Sequence, residues 1–104
     1  MNKPELHALA EAMAAAELAT MKAKNADYTA GSDDPFANFR LAEIFDVPAE
    51  IGLLIRLMDK VQRIRAFLND GKLAVSSEPV DDAIADCRNY LVLLQGLINE
   101  RKKK

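Results

Sequence analysis

The sequence predicts an all-α fold, a compact bundle of four helices of which one is short, and three observations carry that prediction. Apolar residues recur at i, i+3, i+4 and i+7 through each long segment, the period of a helix with one buried face. Helix-start and helix-stop residues punctuate those segments: Pro4, Asp34-Pro35, Pro48, Gly71 and Ser76-Ser77-Pro79. The length of 104 residues, half of them apolar and 29% charged, suits a single domain over residues 1–104. Such a domain buries roughly 60–65% of its unfolded surface without disulfides.

The first helix is expected from Pro4 to about Lys24, with Leu6, Leu9, Ala10 and Met13 as its apolar face. The same line continues as Glu17, Thr20 and Lys24, so the stripe turns polar partway along. Residues 25–35 are rich in turn formers and read as a loop. A short helix follows to about Phe45, with Asp34 as its cap and Pro35 in its first position. The next helix runs from Pro48 or Ala49 to about Asn69, where Gly71 stops it. Its apolar sector, Ile51 to Leu68, covers more than half the circumference, and a charged strip of Arg56, Asp59, Lys60 and Arg63 fills the rest. Such a strip suits a solvated face with intrahelical ion pairs. Phe67, however, continues the same line.

The last helix, opening near Pro79, carries the most informative pattern. Val80, Ile84, Cys87, Leu91, Leu94 and Ile98 form one apolar stripe, expected as the buried seam. Beside it run Asp82, Asp86 and Asn89, continued by Tyr90, Leu93 and Leu97. A line that is carboxylate-rich for two turns and apolar for the next two is expected to enter the interior. Buried carboxylates require a cation or a metal there.

Several function classes are set aside by composition. A formal charge of −2 gives no general attraction to nucleic acid or anionic lipid. The single cysteine, Cys87, leaves no disulfide framework or thiolate metal site, and a cytoplasmic location is the expectation. The apolar run Ala12 to Ala16 is too short for a membrane span or a signal-peptide core. With one histidine, His7, and four isolated glycines, neither a histidine-based nucleophile site nor a Gly-rich phosphate loop is indicated.

What remains is a carboxylate row with cations near it. Glu78, Asp82 and Asp86 at i+4 spacing, with Glu17 and Asp59 from two other helices, would make a set of oxygen ligands for Mg²⁺. Asp82, Asp86 and Asp59 would then be the catalytic carboxylates, one of them free to take a proton from a metal-bound water. Lys24, Arg40, Arg56, Lys60 and Arg63 suit the phosphates of an anionic ligand. Asn25, Asp27 and Tyr28, followed soon by Asn38 and Phe39, together with Asn89 supply hydrogen-bonding and stacking groups for the rest of a nucleotide. The same loop residues also suit any polar connection between helices.

Three runs, residues 24–40 (KNADYTAGSDDPFANFR), 52–64 (GLLIRLMDKVQRI) and 78–94 (EPVDDAIADCRNYLVLL), resemble the nucleotide-modification-associated helical proteins of bacteriophages. Those are similar in turn to the all-α NTP pyrophosphohydrolases of the MazG type. The resemblance implies an oligomeric helical protein, a dimer or tetramer, that acts on or binds nucleotides with Mg²⁺. Asp82, Asp86 and Asn89 match its acidic helix, and Arg56, Asp59, Lys60 and Arg63 its charged helix. MazG enzymes place a cluster of glutamates on the charged helix, where this chain has one carboxylate among three cations. Two functions follow as expectations. One is a Mg²⁺-dependent nucleotide pyrophosphohydrolase releasing pyrophosphate from an NTP or dNTP. The other is a nucleotide-binding or protein-interaction module without hydrolysis. Leu53, Leu57 and Ile64 are the residues expected to pack a second copy.

Overall fold

The computed structural model describes residues 1–28, 32–70 and 80–103, the side chains of residues 26–28 excepted. Its elements are helix α1 (Lys3–Tyr28), a short 3-10 helix (Arg40–Phe45), α2 (Ala49–Asp70) and α3 (Val80–Lys102). Four helices in an all-α arrangement are what the sequence predicts. Gly71, the serines before Pro79, and Glu78 lie outside the described residues.

A reciprocal cap starts α1: the Glu5 N–H donates to Asn2 Oδ1 at 2.9 Å, and the Asn2 N–H to Glu5 Oε2 at 3.4 Å. Such a box satisfies two donors that a helix start leaves orphaned. The helix passes Lys24, its expected end, and takes Asn25, Asp27 and Tyr28 into its backbone rather than leaving them to a loop. Neither Gly nor Pro occurs between Pro4 and Gly31, so nothing local breaks the helix there.

Residues 35–39 form turns rather than the first turns of a helix. Asp34 does cap them, since its Oδ1 accepts the Phe36 N–H at 3.0 Å. The 3-10 helix ends at Asp46, whose φ of 59° lies in the left-handed region. Asp is among the few residues that adopt that conformation at low cost.

The core lies between α2 and α3 and is closed by the turn segment. Phe36, Phe39, Ala49, Leu53 and Leu97 form its buried cluster, with Tyr90, Leu93 and Leu94 packed against it. The interior face of α2 is therefore Ala49, Leu53 and Leu57, flanked by half-buried Lys60, Ile64 and Phe67. Leu53 and Leu57 belong to the core of one chain and are spent there; they are not the face for a second copy. On α3, Ala83, Asn89 and Leu97 are the buried residues. The stripe expected as the seam lies to one side: Leu91 and Ile98 are exposed, and the rest half-buried. The line of Asp86, Asn89, Leu93 and Leu97 is the one that enters the interior, as its mixed composition predicts.

An inversion marks α1. Its apolar residues Leu6, Leu9 and Ala10 are exposed, whereas Met13, Glu17, Met21 and Lys24 are half-buried where the helix meets α3. The polar part of the stripe is what makes contact. The first turns of α1 run beyond the bundle, and the radius of gyration is 15.5 Å. A compact chain of this length would have about 13 Å.

Candidate functional site

Where α1, the turn segment, α2 and α3 meet, they enclose a cavity of about 470 Å³. Lys24 and Asn25 come to it from α1, Asn38 and Phe39 from the turns, Arg56 and Lys60 from α2, and Asp86, Asn89 and Tyr90 from α3. Helical spacing explains the groupings: Arg56 and Lys60 are one turn apart, as are Asp86 and Tyr90, so each pair shares a face.

Asp86 is the electrostatic centre. Its Oδ1 accepts from Lys24 Nζ at 3.1 Å and its Oδ2 from Lys60 Nζ at 3.0 Å. Its side chain is 18% exposed, against 19% for Lys60 and 40% for Lys24. Burial is the largest single influence on its carboxyl and pushes its pKa up. The hydrogen bonds and charges of the two lysines together outweigh that, and the net position is below the ordinary carboxylate range. Cys87, next in sequence, is shifted upward by burial and by the Asp86 charge, so it stays a neutral thiol at neutral pH.

Asn89 is 5% exposed, and among the described residues neither its Oδ1 nor its Nδ2 has a hydrogen-bond partner. A buried amide left unmade costs about 1–3 kcal/mol for each unpaired group. Asn89 lies one turn from Asp86 and lines the same cavity. Around it are the ring of Tyr90, edge-on to Phe39 at 6.3 Å between centroids, and the Arg56 guanidinium, 5.7 Å from the Phe39 ring centre. The lining thus holds three cations, one carboxylate, three side-chain amides and two aromatic rings.

The remaining residues expected at the site lie elsewhere. Asp82 and Asp59 are exposed and do not line the cavity, and the same is true of Arg63. Glu17 pairs with Arg88, whose Nε and Nη2 both reach Glu17 Oε2 at 3.1 Å. That pair borders a separate cavity between α1 and α3, about 340 Å³ in volume, which Asp86 does not line. Arg40 is not a cavity residue either. It clamps the turn segment to the end of α3, bonding Asp34 Oδ2 at 2.6 Å and Glu100 Oε1 at 2.9 Å with its side chain over the Phe36 ring. That contact holds Asp34 below its ordinary pKa. Asp27 and Tyr28 have no described side chains, and Glu78 lies outside the described residues.

Asn38 and Phe39, read from the sequence as pocket groups, do line the cavity, and Tyr90, Met21, Pro35 and Leu93 join it although the sequence did not point to them as site residues. Met21 carried a weaker signal, one turn before Lys24. Arg88, two residues past Asp86, was legible only as a generic surface cation.

Comparison with protein-family models, with curated proteins and with solved structures finds no match to this chain. Among the described residues, no helix is long and apolar enough to cross a membrane.

Proposed function

We propose that the cavity binds a nucleotide, with its phosphates against Lys24, Lys60 and Arg56 and its base beside Asn89 and Tyr90. The observation that carries the reading is Asn89. A buried amide with two unpaired atoms beside a cationic wall is matched by a ligand that presents an adjacent donor and acceptor at one end and negative charge at the other. Every nucleobase has such an edge, and phosphate supplies the charge. Asn89 makes good its unpaired hydrogen bonds on ligand binding, so desolvation costs already met in the free protein favour the complex. A volume of about 470 Å³ falls within the usual range for small-molecule pockets.

The Mg²⁺ site fits less well. Both oxygens of Asp86 are taken by lysines, Glu17 is held by Arg88, and Asp59 and Asp82 are exposed. Among the described residues, no group of three or more His, Cys, Asp or Glu side chains converges as a metal site. The donors present among the described residues do not fit a metal held by the protein alone.

Titration of the purified protein with nucleoside mono-, di- and triphosphates, and with pyrophosphate alone, tests the proposal by thermal melting and calorimetry. A nucleotide at 100 times its Kd stabilises by about 2.7 kcal/mol. Asn89→Leu is expected to reduce nucleotide affinity to that of pyrophosphate, which the lysines still hold. No stabilisation by any member of the panel overturns the reading. Pyrophosphate release from a dNTP with Mg²⁺, lost in Asp86→Ala, extends it to the pyrophosphohydrolase.

A further inference from the structure

The second cavity, about 340 Å³ between α1 and α3, is separate from the nucleotide site, since no residue lines both. Its α1 wall is Leu9, Met13 and Ala16 with Thr20 beyond them, at i, i+4, i+7 and i+11, which is one face of a helix. Ile84 and Ala85 line it from α3. Leu9, which belongs to the apolar face of α1 and is 43% exposed, borders this space. An apolar cavity of roughly 150 Å³ takes a benzene ring. The space here therefore suits one ring or a short alkyl chain with a polar end, near the lower limit of small-molecule pockets.

The charges on this cavity do not balance. Glu17 and Asp81 bring two carboxylates to it and Arg88 brings one guanidinium. Arg88 places both Nε and Nη2 on a single oxygen, Glu17 Oε2, at 3.1 Å each, and its Nη1 on Met13 Sδ at 3.7 Å. Among the described residues no hydrogen bond reaches Glu17 Oε1, although the side chain is only 12% exposed. A largely buried carboxylate oxygen without a donor is costly, and a charged donor satisfies it best. The positive end of α3 does not reverse the balance, because Asp82 joins Asp81 in its first turn. We propose that this cavity binds a small hydrophobic amine in its ammonium form, the apolar body between Leu9, Met13 and Ile84 and the ammonium on Glu17 Oε1. Charge complementarity selects that class. A carboxylate ligand of the same size would bring its charge against Glu17 and Asp81, and a neutral one would leave Oε1 without a charged donor. Arg88 acts as a positioning residue: by holding Oε2 it fixes the Glu17 carboxylate before the ligand arrives, which lowers the ordering cost of binding. The site is independent of what the first cavity takes.

Thermal melting and titration calorimetry of the whole chain with hexylammonium and phenethylammonium, set against hexanol and hexanoate, test it. Both amines are expected to raise the melting midpoint and to bind about tenfold more tightly than hexanol, with hexanoate the weakest of the four. If hexanol or hexanoate matches hexylammonium, or if none of the four binds, the proposal is overturned. Glu17→Gln keeps the shape of the side chain and removes its charge, and is expected to bring hexylammonium down to the affinity of hexanol; an unchanged amine affinity refutes the role given to Glu17. If Glu17→Gln loses its helical circular dichroism, Ala16→Phe takes its place. Residue 16 is exposed, so the fold accepts the ring, which fills the cavity and is expected to abolish amine binding. Binding retained at full strength in Ala16→Phe would put the amine elsewhere on the molecule and overturn the assignment.

Discussion

Replacing Asp86 by Asn should weaken the free protein and strengthen its hold on anions, two effects of opposite sign from one atom change. The variant keeps the shape of the side chain and removes its charge from between Lys24 and Lys60, which lie 3.1 and 3.0 Å from its oxygens. Lys24 is 40% exposed and can turn into solvent, so its pairing counts for little. Lys60 is 19% exposed and cannot. A net hydrogen bond to a charged group is worth about 1.5–3 kcal/mol, and the expected loss is of that order, mainly from Lys60. At about 4–8 °C for each kcal/mol in a chain of this size, the melting midpoint falls by roughly 6–24 °C. The ligand feels the reverse. A unit charge about 6 Å from a phosphate contributes about 2–3 kcal/mol at an effective dielectric of 20. After allowance for the open mouth of the cavity, its removal should tighten pyrophosphate binding about tenfold. Thermal melts followed by circular dichroism and titration calorimetry read the two quantities on the same sample. Weaker pyrophosphate binding in Asp86→Asn would refute the reasoning, because Asp86 would then be contributing to the anion's site rather than opposing it.

Three further outcomes follow from the same geometry. Asn89→Leu replaces a buried amide without partners by an apolar side chain of similar size, and should raise stability by about 1–3 kcal/mol in urea titrations while nucleotide affinity falls. Asp86 and Asp34 both have pKa values lowered on folding. The stability they contribute is therefore present above the unfolded value of about 3.9 and lost as pH falls through their lower folded values. Melts from pH 7 to pH 2 should show a decline setting in below about pH 4, shallower in Asp86→Asn. Gly96→Ala would ordinarily stabilise a helix interior by up to about 1 kcal/mol. Here the new Cβ would lie 2.9 Å from the Phe36 ring, which is 8% exposed and packed, so a net loss of about 1–2 kcal/mol is expected by chemical denaturation.

The helices were legible because period and punctuation agree: Pro4, Asp34-Pro35 and Pro48 each lie close to an element start or turn in the structure. Which face of each helix is covered was much less so. Helix α2 is apolar over more than half its circumference, and periodicity alone does not rank two apolar sectors. Leu53 and Leu57 are inside because α3 and Phe39 lie there, a tertiary fact with no local signature. On α3 the stripe richest in apolar residues lost to the one that carries Asp86 and Asn89, where Asp86 is paired with lysines and Asn89 lines the cavity. Asp86 itself was legible as an acid needing a partner. Of the cations the sequence sets beside the carboxylate row, the structure pairs Lys60 and Lys24 with Asp86. The wider carboxylate set was not assembled because spacing along one helix says nothing of the direction from which the others approach, and Glu17 points to Arg88.

The contacts of the turn segment determine how the cavity can yield. Phe36 lies against Gly96, Arg40 reaches Glu100, and Phe39 meets Tyr90 edge-on, so Asn38 and Phe39 are riveted to α3 along more than one turn of its length. The wall carrying Lys24 and Asn25 belongs to α1, whose ties to α3 among the described residues include the ion pairs Lys24–Asp86 and Glu17–Arg88 and a hydrogen bond from Arg88 to Met13 Sδ. The cavity is a vice with one fixed jaw and one jaw on an electrostatic spring. Raised salt screens such pairs and should slacken the sprung jaw first, so that amide exchange in α1 accelerates with ionic strength while α3 keeps its pace.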